Sequence, residues 1–327
     1  MNWLITGGCG FIGRALISKI IESPDNRVVV IDNFINGGLV DLKEFIADVH
    51  FELVSRPIWK TGKVNIIKAD VRDYEDVNVC MLEADVVVHL AANTGVEPAV
   101  KDPFMDCDVN VRGTLNVLEA ARRNEVSRVI LASSGAPLGE QTPPLHEEMV
   151  AKPVSPYGAS KLAAEAYCGV YDKCFSLHTN CLRFGNVYGP GSGAKNSVVA
   201  KFIRKAFAGE QWEIYGDGAQ TRDFIYVFDL VDAIVKCATT QGIAGETFQI
   251  ATSRETSVTE LAEALRVVLR ERVGLEVEWC SSEPRQGDVS RNYSDTTKAL
   301  DLLGWKATVG LDAGLTKTVE YFLSLKR

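Results

Sequence analysis

The 327-residue sequence has only four histidines, and its eight cysteines include no Cys-x-x-Cys pair. The ligand spacing of a structural zinc site is therefore missing, and no metal site is expected. A basic run is also missing. With a net charge of −8 and a pI of about 5.2, the chain is a poor match for nucleic acid or an anionic membrane surface. A phosphorylated ligand would need a local cluster of arginines to override that charge. No apolar stretch reaches transmembrane length, so no membrane partner is expected. Residue 3 already falls in an expected strand, which leaves no room for a targeting segment. A cytoplasmic protein with free thiols is the expectation, because a chain of this length needs no disulfide framework. Internal repeats and low-complexity segments are absent. What remains, 46% hydrophobic and 24% charged residues, is ordinary globular composition, enough for one large or two modest cores.

The stretch 1–16, MNWLITGGCGFIGRAL, organises the chain. The apolar run Trp3-Leu4-Ile5 is followed by Gly7, Gly10 and Gly13, and an apolar helical pattern then starts at Phe11-Ile12. Strand, tight turn and helix follow in that order. The first glycine suits the turn, the second lets backbone approach a pyrophosphate, and the third lets helix pack closely on strand. The helix N-terminus then offers N–H groups and a positive dipole end to the phosphates. A second apolar run, 28–31, ends in Asp32, 19 residues beyond Gly13. An acidic residue there can bind the hydroxyls of an adenosine ribose. Asn33 comes next, and no adjacent arginine is available to receive a 2′-phosphate, so the cofactor expected is NAD rather than NADP.

Further apolar runs at 64–67, 85–90 and 127–132 alternate with helical patterns. Continuous Val-rich runs fit parallel strands buried on both faces. The fold class expected is α/β, a doubly wound parallel sheet whose ligand lies outside the carboxyl ends of the strands. Asp32, Asp70, Ala91 and Ser134 stand at such ends. A short helix is expected within 42–51 and a loop over 55–62. After a proline-rich loop, 157–173 reads as helix and 178–183 as strand. Then come helix 197–208, strand 212–215, strand 224–227, helix 229–238 and strand 246–250. Ser257 with Glu260 forms a capping box before a helix running to residue 269. A strand at 275–279 and helices at 295–303 and 311–325 complete the chain. Residues 1–185 are expected to form a dinucleotide-binding domain, and 186–327 a smaller α+β substrate-binding region. Whether 224–250 returns to the sheet is open at this level.

Tyr157 and Lys161 stand four apart on one helix and so project from one face. A free phenol, with a pKa of about 10, is a poor base at neutral pH. A nearby ammonium is expected to favour the phenolate and draw its pKa toward the working range.

Together with these residues, several motifs resemble the extended short-chain dehydrogenase/reductase family, in its nucleotide-sugar epimerase and dehydratase branch. They are Thr6-Gly-Gly-Cys-Gly-Phe-Ile-Gly13, Asp70-Val71, His89-Leu-Ala-Ala92, Asn110, Ser133-Ser134, Tyr157-Gly-Ala-Ser-Lys161, Arg183-Phe-Gly-Asn186, Arg222-Asp223-Phe and Arg285-Gln-Gly-Asp288. The resemblance implies a Rossmann-like fold, bound NAD and a role for each matching residue. Gly7, Gly10, Phe11, Ile12 and Gly13 would line the pyrophosphate. Asp32 and Asn33 would hold the adenosine ribose, and Asp70 and Val71 the adenine. Leu90, Ala91 and Ala92 would pack along the cofactor, with Asn110 also on the cofactor side. Tyr157 would be the acid/base, Lys161 would also bind the nicotinamide ribose, and Ser134 would hydrogen-bond the reacting hydroxyl. Asn186 would contact the sugar diphosphate and Val198 the nucleotide side. Arg222 and Arg285 would take the diphosphate, as guanidinium geometry suits.

The implied activity is inversion of C4 in a UDP-sugar through a transient 4-keto intermediate, by a homodimer paired through helices near 109–122 and 157–173. Elimination by a 4,6-dehydratase, decarboxylation of a UDP-uronate, and non-catalytic NAD binding are the alternatives. The sequence departs from the family pattern at Ser134-Gly-Ala-Pro-Leu-Gly139, where a Val-Tyr-Gly is usual and its aromatic is gone. The connection between Asp32 and Asp70 is also long. Asn292, near the position that sets room for a C2 substituent, is of intermediate size and does not choose a sugar.

Overall fold

The computed structural model describes residues 1–47, 49–283 and 289–325. The chain divides into two compact units. Residues 1–139, 149–183 and 231–248 make up the first, and 140–148, 184–230 and 249–327 the second. The segment 231–248 thus returns to the first unit.

A large sheet dominates the first unit. Its strands are β1 (Asn2–Thr6), β2 (Arg27–Asp32), β3 (His50–Leu53), β4 (Lys63–Lys68), β5 (Val86–His89), β6 (Arg128–Ser134), β7 (His178–Phe184) and β8 (Thr247–Ile250). They lie in the order β8-β7-β6-β5-β1-β2-β4-β3, and every pair from β3 across to β6 is parallel. Leu4, Ile5, Val29, Val30, Ile31, Val87 and Val88 are all fully buried, which is why these strands read as continuous apolar runs. The chain winds one way from β1 to β2 and the other way from β1 to β5. The switch point of the sheet therefore lies at the carboxyl ends of β1 and β5, where a doubly wound sheet binds its ligand.

The accompanying helices are α1 (Phe11–Ile20), α2 (Leu39–Phe45), α3 (Tyr74–Cys80), α4 (Val96–Lys101), α5 (Pro103–Cys107), α6 (Gly113–Arg123) and α7 (Pro156–Phe175), with a π-helical turn over Asp108–Arg112 leading into α6. Local chemistry starts them where they start. Asp73 accepts from the N–H groups of Glu75 and Asp76 ahead of α3. Ser155 caps α7 through the Gly158 N–H, with Pro156 in the first turn, where a missing donor costs nothing.

The second unit holds α8 (Val198–Phe207), the start of α9 (Val227–Thr239), α10 (Val258–Val273), α11 (Thr297–Leu303) and α12 (Leu311–Ser324). Three strand pairs accompany them: Asn186–Tyr188 with Phe224–Tyr226, Thr221–Arg222 with Thr256–Ser257, and Trp212–Tyr215 with Trp279–Ser282. Its core gathers Tyr188, Phe202, Trp212, Leu261, Leu265 and Leu315. The Ser257–Glu260 capping box closes as expected, with both reciprocal bonds formed.

Two sequence expectations are corrected. The helix expected within 42–51 is α2, which ends at Phe45, followed by the edge strand β3. Only Phe51 of that strand is buried, so four residues carry one inward side chain, too little alternation to reveal a strand. Pairing with β4, not side-chain periodicity, makes it one. The strand expected at 275–279 is displaced to Trp279–Ser282, where Trp279 stands opposite Trp212. The two indoles stack with centroids 6.3 Å apart, and this partner sets the register.

The β1–α1 turn shows why its glycines are needed. Gly7 has φ +70°, and a Cβ there would come within 2.8 Å of the Ala91 nitrogen. A Cβ on Gly13 would meet Gly8 Cα at 2.5 Å and the carbonyl oxygens of Gly7 and Gly8 at 2.6 Å. All of these are backbone atoms that cannot rotate away. Gly13→Ala should therefore destabilise the protein by about 1–3 kcal/mol, the usual cost of overpacking, as read by urea denaturation. Wild-type stability in that variant would contradict the packing described.

Candidate active site

At the carboxyl end of β2, Asp32 is held in a defined orientation. Its Oδ2 accepts from the Cys9 N–H at 2.9 Å and its Oδ1 from the Phe34 N–H at 2.8 Å. Burial raises its pKa, and the two backbone donors work against that rise. The carboxylate thus ties the glycine turn to the strand end while keeping further lone pairs for a hydroxyl. Asn33 donates to Asp70 at 3.0 Å. Arg72 forks onto the same carboxylate, with Nε–Oδ1 2.9 Å and Nη2–Oδ2 2.8 Å. That guanidinium holds Asp70 well below the usual carboxylate range. Val71 is buried, and Leu90, Ala91 and Ala92 are half-buried at the end of β5.

The turn fits a dinucleotide on its own evidence. Gly10 is the N-cap of α1, no side chain caps this end, and no acidic residue lies in the first turn. An N-terminus left that way favours a phosphate. The uncapped end, the steric need for glycine at 7 and 13, and the oriented Asp32 together match the requirements of NAD.

Ser134 ends β6, and Tyr157 and Lys161 lie on α7. The Ser134 side chain acts on the Tyr157 phenol, and Ser134 Oγ accepts from the Ala136 N–H at 3.0 Å. Tyr157 is half-buried. Burial pushes its pKa up to about 12; Ser134 opposes the rise and the Asp106 carboxylate adds to it. The expected lowering by Lys161 is not what this structure shows. Lys161 Nζ donates instead to the Ala132 carbonyl at 2.9 Å. Burial pushes Lys161 down to about 8, against the pull of Asp106 and Glu165. Four-residue spacing places the two side chains on one face, but the cost of desolvating the phenolate decides the direction of its pKa.

Behind these groups runs a buried hydrogen-bond chain. Thr6 Oγ1 accepts from the Ala91 N–H at 3.2 Å and meets His89 Nδ1 at 2.7 Å. His89 Nε2 meets Thr114 Oγ1 at 3.1 Å, and Thr114 donates to the Asn110 carbonyl at 2.6 Å. Each hydroxyl has one proton, so Thr6 donates to Nδ1 and His89 carries its proton on Nε2. Burial, with Lys161 adding to it, holds His89 at about 3 and therefore neutral. Asn110, in the π-helical turn, is consumed by protein partners. Its amide donates to the Asn93 carbonyl at 3.0 Å, to Asp106 Oδ1 at 2.9 Å and to Ser160 Oγ at 3.1 Å. Its Oδ1 accepts from the Asn93 N–H at 2.9 Å.

Glu165, one turn beyond Lys161, forms a buried bidentate pair with Arg183, with contacts of 2.9 and 2.7 Å, and accepts from Ser133 at 2.6 Å. Asp106 and Glu165 were not singled out by the motifs. Their signal in the sequence is spacing alone: Asp106 lies four before Asn110, and Glu165 four after Lys161.

In the second unit, Asn186 is exposed at the start of its strand, and its N–H donates to the Asp223 carbonyl at 2.7 Å. Val198 is the half-buried first residue of α8. Arg222 Nη1 donates to the carbonyls of Thr221 and Val289, each at 2.7 Å. Arg285 lies outside the described residues. Asn292 is half-buried, its N–H on the Thr221 carbonyl at 3.2 Å. Among the described residues no cluster of His, Cys, Asp and Glu is arranged to hold a metal ion.

Residues 3–251 match the NAD dependent epimerase/dehydratase family, and the chain belongs to that family. It is 36% identical over 326 residues to the UDP-glucose 4-epimerase of Mycolicibacterium smegmatis, covering 98% of each chain. It superposes on the crystal structure of UDP-glucose 4-epimerase with UDP-glucose from Thermotoga maritima with a TM-score of 0.88, at 33% identity and full coverage of both chains. It matches the UDP-N-acetylglucosamine 4-epimerase of Methanobrevibacter ruminantium, in complex with UDP-N-acetylmuramic acid, with a TM-score of 0.86 at 30% identity, covering 99% of this chain and 98% of that one.

The Glu165–Arg183 pair yields a stability prediction. Arg183→Met strands a buried carboxylate and should cost about 3–5 kcal/mol in chemical denaturation. The double variant Glu165→Met/Arg183→Met should recover most of that loss. Equal losses in the single and double variants would contradict an uncompensated charge as the cause.

Proposed function

We propose that this chain is an NAD-dependent nucleotide-sugar 4-epimerase that inverts C4 of a UDP-sugar through a transient 4-keto sugar. The observation that carries this reading is that Ser134, at the end of β6, acts on the Tyr157 phenol, with Lys161 one helical turn on. It lies in the unit that carries the dinucleotide turn.

NAD, when bound, supplies a reversible hydride acceptor and, while oxidised, positive charge that favours the phenolate. The chain's residues do the rest. The glycine turn and the N-terminus of α1 hold the pyrophosphate, Asp32 and Asn33 the adenosine ribose, and Asp70 and Val71 the adenine. Lys161 binds the nicotinamide ribose. Ser134 hydrogen-bonds the C4 hydroxyl. Tyr157 takes the C4 hydroxyl proton as the carbon is oxidised and returns it when the ketone is reduced on its other face. Asn186 contacts the sugar diphosphate, Val198 lies on the nucleotide side, and Arg222 and Arg285 take the diphosphate.

Between Ser134 and Gly139 there is no titratable side chain, and 136–138 form a single 3-10 turn. By the family resemblance, the dehydratases and decarboxylases of this branch carry an acid in that stretch. This favours epimerisation over both. The relatives are named for different UDP-sugars.

The same reading includes a homodimer. Val96, Val100 and Phe104 on α4 and α5 are exposed, as are Tyr167 and Val170 on α7, and these helices pack together. The apolar stripe of α6 faces the core instead, so pairing would use α4, α5 and α7. Eight free cysteines, five of them buried, suit a reducing cytoplasm; among the described residues no helix is long and apolar enough to cross a membrane.

Purified protein incubated with a panel of UDP-sugars should yield a C4 epimer of unchanged mass, with no net NADH, as read by NMR and mass spectrometry. Loss of water or carbon dioxide would overturn the proposal. Tyr157→Phe should fold normally and lose turnover by more than the roughly 10²–10⁴-fold usual for a single acid/base group, because proton and hydride transfer are coupled at C4. Near-normal turnover would place the base elsewhere.

A further inference from the structure

Asp106 is a carboxylate for which the proposed chemistry has no use, yet it is 1% exposed in the first unit. One oxygen is anchored. Oδ1 accepts from the Asn110 amide at 2.9 Å and lies 3.4 Å from the Asn93 amide. Oδ2 is buried and has no hydrogen-bond partner. A buried, half-satisfied carboxylate is costly unless it faces positive charge.

A hydrogen-bond chain leads from it to the turn of α7 that carries a buried cation, Lys161. Asn110 also donates to Ser160 Oγ, and Ser160 donates to the Tyr157 carbonyl at 3.0 Å. This links Asp106 to the turn of α7 that carries both Tyr157 and Lys161. Lys161 is 4% exposed, and its one described hydrogen bond, to the Ala132 carbonyl, carries no charge. Asp106 acts on it first among the neighbouring charges. Glu165 follows, but is already committed to Arg183 and Ser133. Cys168 on α7, Cys181 on β7 and neutral His89 on β5 are the other titratable groups that act on Lys161 or feel its charge. Toward Tyr157, the groups that act are Ser134 and Asp106.

We propose that Asp106 is a positioning residue for the reaction, the buried countercharge that keeps Lys161 protonated one turn from Tyr157, with one of its oxygens held by the Asn110 amide in the π-helical turn. Its place in catalysis rests on the epimerase reading, but its effect on Lys161 does not. The sign follows from Coulomb's law. A fixed negative charge raises the proton affinity of both the amine and the phenol, so removing it lowers both. The whole pH–rate profile then moves to lower pH: the phenolate forms more easily, and the ammonium is lost sooner.

The test is an NMR titration of protein labelled with [¹³Cε]lysine, with the Lys161 resonance identified by its loss in Lys161→Met. In Asp106→Asn the Lys161 midpoint should fall by about 1 pH unit or more, while the melting curve reports on folding. Should that variant not fold, Asp106→Ser keeps an acceptor for the Asn110 amide and reads the same midpoint. A folded variant with an unchanged midpoint overturns the proposal, since a purely structural role lowers stability without moving it. No substrate is needed, so a failure of the epimerase reading would leave this result intact. Where turnover is measured, the optimum pH of kcat should fall with the midpoint.

Discussion

The rest of the first unit depends on one constraint: an ionisable phenol and an ammonium have to be withdrawn from water at the end of β6 without becoming inert. Desolvation opposes both charged forms, raising the phenol and lowering the amine. Every nearby polar group reads as a response to that cost. Ser134 acts on the phenol, the Ala132 carbonyl meets the amine, and the charges of Asp106 and Glu165 work against the lowering of the amine. Glu165 in turn needs Arg183 and Ser133. These groups come from β6, β7, α5 and α7, so the sheet order and the site chemistry are one problem.

The dinucleotide turn is joined to the same assembly from the other side. Thr6, the last residue of β1, is tied to Ala91 and His89 at the end of β5, and His89 to Thr114 and Asn110. The switch point of the sheet is thus bridged by side chains as well as backbone. A neutral His89 is what the bridge requires, because a protonated ring could not accept from Thr6. Burial and the Lys161 charge keep it neutral.

Much of this was legible in the sequence, for identifiable reasons. Trp3-Leu4-Ile5 and 28–31 announce buried parallel strands, because both faces of the sheet are covered. Gly7 and Gly13 are demanded by backbone approach and cannot be replaced cheaply. The strand β3 was hidden because its pairing, not its side chains, defines it, and Trp279–Ser282 because its register is set by a tryptophan more than sixty residues away. The electrostatics of Tyr157 escaped for a related reason. Spacing shows that two groups share a face, but the pKa is set by how far the hydroxyl is taken out of water and by Asp106, on another helix. Asn110 matched a family motif, yet its side chain is spent on Asn93, Asp106 and Ser160.

In the proposed reaction, hydrogen leaves C4 and returns to C4 inside one site. Incubating the purified protein with UDP-glucose deuterated at C4, and UDP-N-acetylglucosamine labelled in the same way, tests it most directly. The epimer should retain the deuterium at C4 and take up no hydrogen from solvent at that carbon. Washout of the label into water, or an epimer carrying solvent hydrogen at C4, would contradict it.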